Sequence, residues 1–268
     1  MLDKKVKLNN GREIPVIGLG TWQVPCEVAT QAVKDAIEVG YRHIDTAVAY
    51  GNEKEVGEGI ALSGVKREDI FITTKIRADI KTYEGAKEEI ENSLERLNVD
   101  YIDLVLIHCP VPWPRYMLGI KGCYKQNVQV WKAMEEAYQE GKIRSLGISN
   151  FDIKDTKNIL DHCTVKPVVN QIVWFAGKRD EKLRDYCHEN GILIESYSPL
   201  GTGKLLKDKT VIEMAQKYNV NPAQLCIKFA LMDVDITLPK TVHKERMVQN
   251  SKLDFEISEE DFEILKSL

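Results

Sequence analysis

The chain has 268 residues, 43% of them hydrophobic and 29% charged, with a formal net charge of -4. That balance is ordinary for a folded globular protein and excludes a binder of nucleic-acid backbones, whose affinity rests on excess Lys and Arg. No run of 18 apolar residues is present to span a membrane, and the leading MLDKKVKLNN has no apolar secretory stretch, so the expected compartment is the cytoplasm.

A turn at Asn9-Asn10-Gly11 predicts an opening hairpin. From there, short apolar runs alternate with amphipathic stretches to the end. Val16 to Gly20 reads as the first strand, and Val33, Ala36 and Ile37 share one face of a helix over 30–39 that Gly40 stops. The strand YRHID (41–45) follows, and Asn52 with Glu55 has the spacing of a capping box, opening a helix that ends near Gly64. Next come DIFITTK (69–75) and a helix over 83–97 that aligns Ile90, Leu94 and Leu97. The run IDLVLIH (102–108) is too apolar for a half-exposed strand and suits a buried parallel one. A helix over 126–140 stacks Trp131, Met134 and Tyr138 before Gly141. Further strands are predicted at 142–149, 168–172, 192–197 and 235–239, with helices at 152–162, 180–190 and 209–232, the last broken at Asn221-Pro222.

Eight strands, each followed by a helix, predict a (β/α)₈ barrel over residues 1–268 as a single domain, with an N-terminal hairpin and a short C-terminal helix. An open dinucleotide fold would carry GxGxxG after its first strand. Here Gly18 and Gly20 have no third glycine and no helix directly behind them. The six cysteines (Cys26, Cys109, Cys123, Cys163, Cys187 and Cys226) form no CxxC pair and read as reduced thiols. The five histidines show no HxH or HExxH spacing, which argues against a metal-dependent barrel hydrolase, and no metal is expected.

Barrel active sites lie at the carboxyl ends of the strands. Those ends carry Asp45, Lys75, His108, Ser149-Asn150, Asn170-Gln171 and Tyr197, the last strand leads into Lys240, and Tyr50 stands in the loop after the second. Singly, each has a bland explanation as a cap, a snorkelling cation or a packing residue. Together, a lysine near a phenol lowers its pKa, and a carboxylate keeps that lysine charged. A tyrosine so tuned suits protonation of an alkoxide left by hydride transfer.

These residues sit in longer motifs: DTAVAYGNE (45–53), LIHCPVP (106–112), GISNF (147–151), NQI (170–172), YSPLG (197–201), and LPKT followed by ERMVQN (238–250). In this order, over essentially the whole chain, they resemble the aldo-keto reductases, and DFEISEED (254–261) is similar to the family's final helix. The resemblance implies reduction of aldehydes or ketones by NADPH. It makes Tyr50 the general acid, Lys75 the group that depresses its pKa, Asp45 the partner holding Lys75, and His108 the residue orienting the carbonyl. It places Ser149, Asn150 and Gln171 on the nicotinamide carboxamide, Tyr197 on its ring, and Ser198 and Leu200 along the pyrophosphate. Lys240, Thr241 and Arg246 are assigned to the adenosine 2′-phosphate, and Gln249 and Asn250 to the adenine. Thr21, Trp22 and Val242 complete the implied cofactor residues; Trp22, Tyr50, His108 and Trp113 the implied substrate residues, with Trp174 as a further wall.

The chain departs from its relatives at Cys109, where many carry tryptophan, which should alter the substrate wall, and at His243 between Thr241 and Arg246. The segment beyond the last helix is short beside many animal relatives, which implies an open pocket. A small carbonyl compound is the expected partner and a monomer the expected state. The rival readings are a non-catalytic NADPH-binding relative and a Schiff-base aldolase acting through Lys75.

Overall fold

The computed structural model describes residues 1–268. Strands β1 (Lys5–Lys7) and β2 (Glu13–Pro15) pair antiparallel, Val6 opposite Ile14, with Gly11 at φ 86° in the turn where a side chain would be strained. This hairpin covers the amino end of the sheet. Asn9 donates to the carbonyls of Pro167 and Gly191, and Asn10 to that of Arg144, each just ahead of a strand.

Eight parallel strands follow: β3 (Leu19–Gly20), β4 (His43–Asp45), β5 (Phe71–Ile76), β6 (Leu104–Ile107), β7 (Leu146–Ser149), β8 (Val169–Val173), β9 (Leu193–Tyr197) and β10 (Ile236–Leu238). Each pairs with its sequence neighbour. The circle closes where Gly18 N–H donates to the Thr237 carbonyl at 3.0 Å and Thr237 N–H to that of Val16 at 2.9 Å. The result is the expected barrel.

The helices are α1 (Cys26–Val39), α2 (Glu53–Leu62), α3 (Tyr83–Leu97), α4 (Trp113–Met117), α5 (Tyr124–Gln139), α6 (Ile153–Leu160), α7 (Glu181–Glu189), α8 (Lys209–Lys217), α9 (Pro222–Asp233), α10 (Lys244–Ser251) and α11 (Glu259–Lys266). They pack on the outside of the sheet, so strands such as LVLI of β6 are buried on both faces, as the unbroken apolar run predicts. In α1, Val33, Ala36 and Ile37 all enter the core, and Gly40, at φ 117°, ends the helix.

Four local expectations change. The Asn52–Glu55 capping box does not form. Asn52 is fully buried: its amide nitrogen donates to the carbonyls of Thr21 and Val24 at 3.0 Å each, and its Oδ1, the atom a cap would use, accepts from the Thr46 hydroxyl at 3.0 Å. A capping box does form at Asn221 and Gln224, with Pro222 at the first helical position, so the predicted break is a new helix start. The helices α4 and α10 were not expected, being short and mostly solvent-facing. The final helix begins at Glu259, capped by Ser258, because acidic residues fill its first turn rather than residues 254–257.

Candidate active site

The parallel register brings the polar strand ends to one rim. Asp45 stands opposite Thr73, Ser149 opposite Gln171, and Gln171 opposite Glu195. Above them opens a cleft of about 1040 Å³, whose lining includes Asp45, Tyr50, His108, Ser149, Asn150, Gln171 and Tyr197. Tyr50 reaches it from a single 3₁₀ turn, Val48–Tyr50, released by Gly51 at φ 72°.

Lys75 is completely buried beneath this floor. Its Nζ donates to Asp45 Oδ1 at 2.7 Å and Oδ2 at 2.8 Å, to the Thr46 carbonyl at 2.8 Å, and to the Tyr50 hydroxyl at 3.3 Å. Burial works against the ammonium, but Asp45 and then Tyr50 outweigh it and hold the Lys75 pKa above its ordinary value. Tyr50 departs from expectation. Burial raises its pKa, and Lys75 pulls it down without fully offsetting that, so the phenol stays protonated at neutral pH. Asp45 is likewise pushed upward by burial, opposed by Lys75.

His108 follows β6 and stands edge-on to Tyr50, ring centroids 5.7 Å apart. Burial and the Lys75 cation lower its pKa to about 3, so the imidazole is neutral. Asn150 adopts φ 61°, in the left-handed region, and its amide nitrogen donates to the His108 carbonyl and Ser149 Oγ, while Tyr197 donates to its Oδ1. Such a conformation is sparsely populated outside glycine, and here three bonds hold it. Lys81, absent from the sequence reading, donates to the Cys109 carbonyl at 2.8 Å and to Asn127 Oδ1 at 2.9 Å. Asn127 donates in turn to the Pro110 carbonyl, so the turn carrying His108 is fastened from behind.

At the other end the cleft is lined by Ser198, Leu200, Lys240, Thr241, Arg246, Gln249 and Asn250. Arg246 and Lys240 are exposed and neither pairs with a carboxylate. Thr21 and Val242 do not reach the lining. Thr21 is buried, its hydroxyl directed to Asn52 Oδ1, and Val242 packs on the apolar core. Gln23, Ala49, Thr202, Leu206, Asn221 and Ala223 line the cleft without having been expected there. Of these, only Asn221 had a signal, the Asn-Pro break in the helical pattern.

Trp22 and Trp113 flank the catalytic end, 45% and 36% exposed. Trp174 does not: it is wholly buried and its indole N–H donates to Asp233 at 2.9 Å. Cys109, where many relatives carry tryptophan, does not line the cleft. It is fully buried, and the neighbour of the imidazole is Trp113, edge-on at 5.2 Å. No group of three His, Cys, Asp or Glu side chains is arranged to hold a metal ion, and no helix is long and apolar enough to cross a membrane.

A tyrosine bonded to a buried lysine–aspartate pair, beside a neutral histidine, defines a barrel site suited to proton transfer at a carbonyl oxygen. Residues 16–268 match the Aldo/keto reductase family. The chain is 41% identical to a glyoxal reductase of Bacillus subtilis, over 100% of this chain and 93% of that protein. It is 38% identical to a 9,11-endoperoxide prostaglandin H2 reductase of Trypanosoma cruzi, over 98% and 90% respectively. Among solved structures it is similar to an aldo-keto reductase from a Medee basin deep-sea metagenome library, with a TM-score of 0.90, 39% identity, and coverage of 98% of this chain and 94% of that one. The chain belongs to the aldo-keto reductase family and is an oxidoreductase.

Proposed function

We propose that the protein transfers hydride from NADPH to an aldehyde or ketone, with Tyr50 as general acid. The observation that carries the acid assignment is the contact of the Tyr50 hydroxyl with a buried ammonium that Asp45 holds by both oxygens. The donor set of the cleft fits the cofactor. Ser149, Asn150, Gln171 and Tyr197 offer a carboxamide site and a ring face; Arg246 and Lys240, without carboxylate partners, offer an anion site at the far end. A 2′-phosphate is the group such cations would hold, and it distinguishes NADPH from NADH.

When bound, the cofactor supplies the hydride. The protein's part is the proton and the field. As negative charge grows on the carbonyl oxygen, Tyr50 donates its phenolic proton, and the phenolate that remains is stabilised by Lys75 at 3.3 Å. Asp45 keeps Lys75 charged throughout. Placing the single ring proton of the neutral His108 on Nε2 avoids an unpaired buried Nδ1–H and makes the imidazole a hydrogen-bond donor to the same oxygen. In the reverse direction the Tyr50 phenolate is the base.

Tyr50→Phe tests the reading. Carbonyl reduction should fall by roughly 10²–10⁴ while NADPH affinity, followed by fluorescence quenching, holds. Near wild-type turnover in this variant would remove Tyr50 from the mechanism.

A further inference from the structure

Gln171 touches two carboxyl groups at once. Its Nε2 donates to Asp45 Oδ2 at 2.8 Å and to Glu195 Oε2 at 2.7 Å, and all three residues are buried. A primary amide has two N–H groups, so both are consumed. A flipped amide would instead set its carbonyl oxygen against the charged Asp45 carboxylate and leave both of its own N–H donors unpaired. No side chain or backbone group donates to Gln171 Oε1, and Gln171 lines the cleft.

We infer that Glu195 is a positioning residue that locks the Gln171 amide with Oε1 toward the cleft, as acceptor for the carboxamide N–H of a nicotinamide. The inference rests on the proposed use of such a cofactor. Asp45 by itself would not suffice. It engages one amide hydrogen and is committed to Lys75, so without Glu195 the planar amide can rotate about Cγ–Cδ and set an N–H against the carboxamide donor.

The surroundings suit a neutral acid at this position. Burial, and then the nearby charge of Asp45, push the Glu195 carboxyl up to about 8, so it is protonated at neutral pH and Asp45 carries the charge that Lys75 balances. His43 of β4 lies 3.7 Å from the other Glu195 oxygen and is itself neutral, its pKa lowered to about 3 by burial. Thr237 of β10 and Thr73 of β5 add no charge, and the other buried charges near it are those of Asp45 and Lys75. Glutamine therefore mimics the native neutral state and retains an acceptor, whereas leucine removes it.

The test is binding of NADPH and of NADH, each titrated by protein fluorescence, to wild type, Glu195→Leu and Glu195→Gln, with circular dichroism as the folding check. Loss of one hydrogen-bonded orientation corresponds to roughly a threefold to tenfold weaker affinity. Glu195→Leu should weaken both cofactors by the same factor, because they share the carboxamide, and Glu195→Gln should restore both to within about twofold. Wild-type affinity in Glu195→Leu, or no rescue in Glu195→Gln, overturns the inference. Side-chain amide NMR of wild type gives a reading that needs no variant to fold. Both Gln171 amide hydrogens should exchange slowly with and without NADPH, and one fast-exchanging hydrogen would overturn the lock. Failure of wild type to bind either cofactor is a separate result that removes the functional reading and this inference with it.

Discussion

Replacing Lys75 by methionine keeps much of the side chain's apolar length and deletes its charge. Two unit charges 3.3 Å apart, the separation of Lys75 Nζ and the Tyr50 oxygen, interact by about 5 kcal/mol at an effective dielectric constant near 20. Asp45, on the same ammonium, cancels part of that field, and what remains lowers the phenol pKa, so loss of Lys75 raises it further. The assay is the pH dependence of alcohol oxidation, in which Tyr50 must act as phenolate. The rate rises with pH as the phenol ionises, so the variant's rise should move toward alkaline pH, with a rate roughly 10- to 100-fold lower at neutral pH. Asp45, 3% exposed, is left without its cation, and breaking such a buried pair costs about 3–5 kcal/mol unless the carboxylate takes up a proton. The double variant Asp45→Asn with Lys75→Met separates the two effects: it should recover stability but not the rate. An unshifted profile with full activity in Lys75→Met would refute the electrostatic role.

Three further outcomes follow from the same geometry. Arg246→Ala should weaken NADPH by roughly 10- to 150-fold, the worth of a charge-assisted hydrogen bond, and leave NADH almost unaffected; equal loss for both would move the phosphate site elsewhere. Both Arg246 and Lys240 are exposed, so the preference for NADPH should also shrink as salt is raised from low to high concentration. Glu195 has a folded pKa near 8, above the ordinary value of 4.5, so the folded chain keeps a proton that the unfolded chain releases. The stability this contributes is complete below about pH 4 and is lost as pH rises through 8. Glu195→Gln does not titrate, so its Tm should gain on wild type between pH 5 and 8; a difference independent of pH would contradict the buried neutral acid.

The barrel was legible because parallel strands buried on both faces leave short apolar runs, and LVLI and the ILI at 192–194 stand out between amphipathic helices. The rim was legible in part: Asp45, His108, Ser149, Asn150, Gln171 and Tyr197 line the cleft, whereas Lys75 lies buried beneath it and Asn170 turns away to the Phe151 carbonyl. What the sequence did not carry was direction. Asn52 has the spacing of a cap yet turns inward to two loop carbonyls, and Trp174 has the chemistry of a pocket wall yet packs against Asp233. Cys109 is next to His108 in the chain but is buried and does not line the cleft, and Trp113, four residues on, takes the contact with the imidazole. Lys81 and Asn127 were invisible because their partners are backbone carbonyls in a turn whose path local pattern does not specify. The net upward shift of Tyr50 depends on how deeply the folded chain buries it, a quantity without a sequence signature.

The central claim is hydride transfer from NADPH to a carbonyl carbon, and isotope transfer tests it most directly. The protein is incubated with an aromatic aldehyde and NADPH carrying deuterium at the transferable position of nicotinamide C4, and the alcohol is analysed by mass spectrometry and NMR. The account predicts one deuterium on the former carbonyl carbon of the wild-type product, with Tyr50→Phe forming the same labelled alcohol roughly 10²–10⁴ more slowly. Alcohol without deuterium, or no alcohol from any aldehyde or ketone in a broad panel, would contradict it.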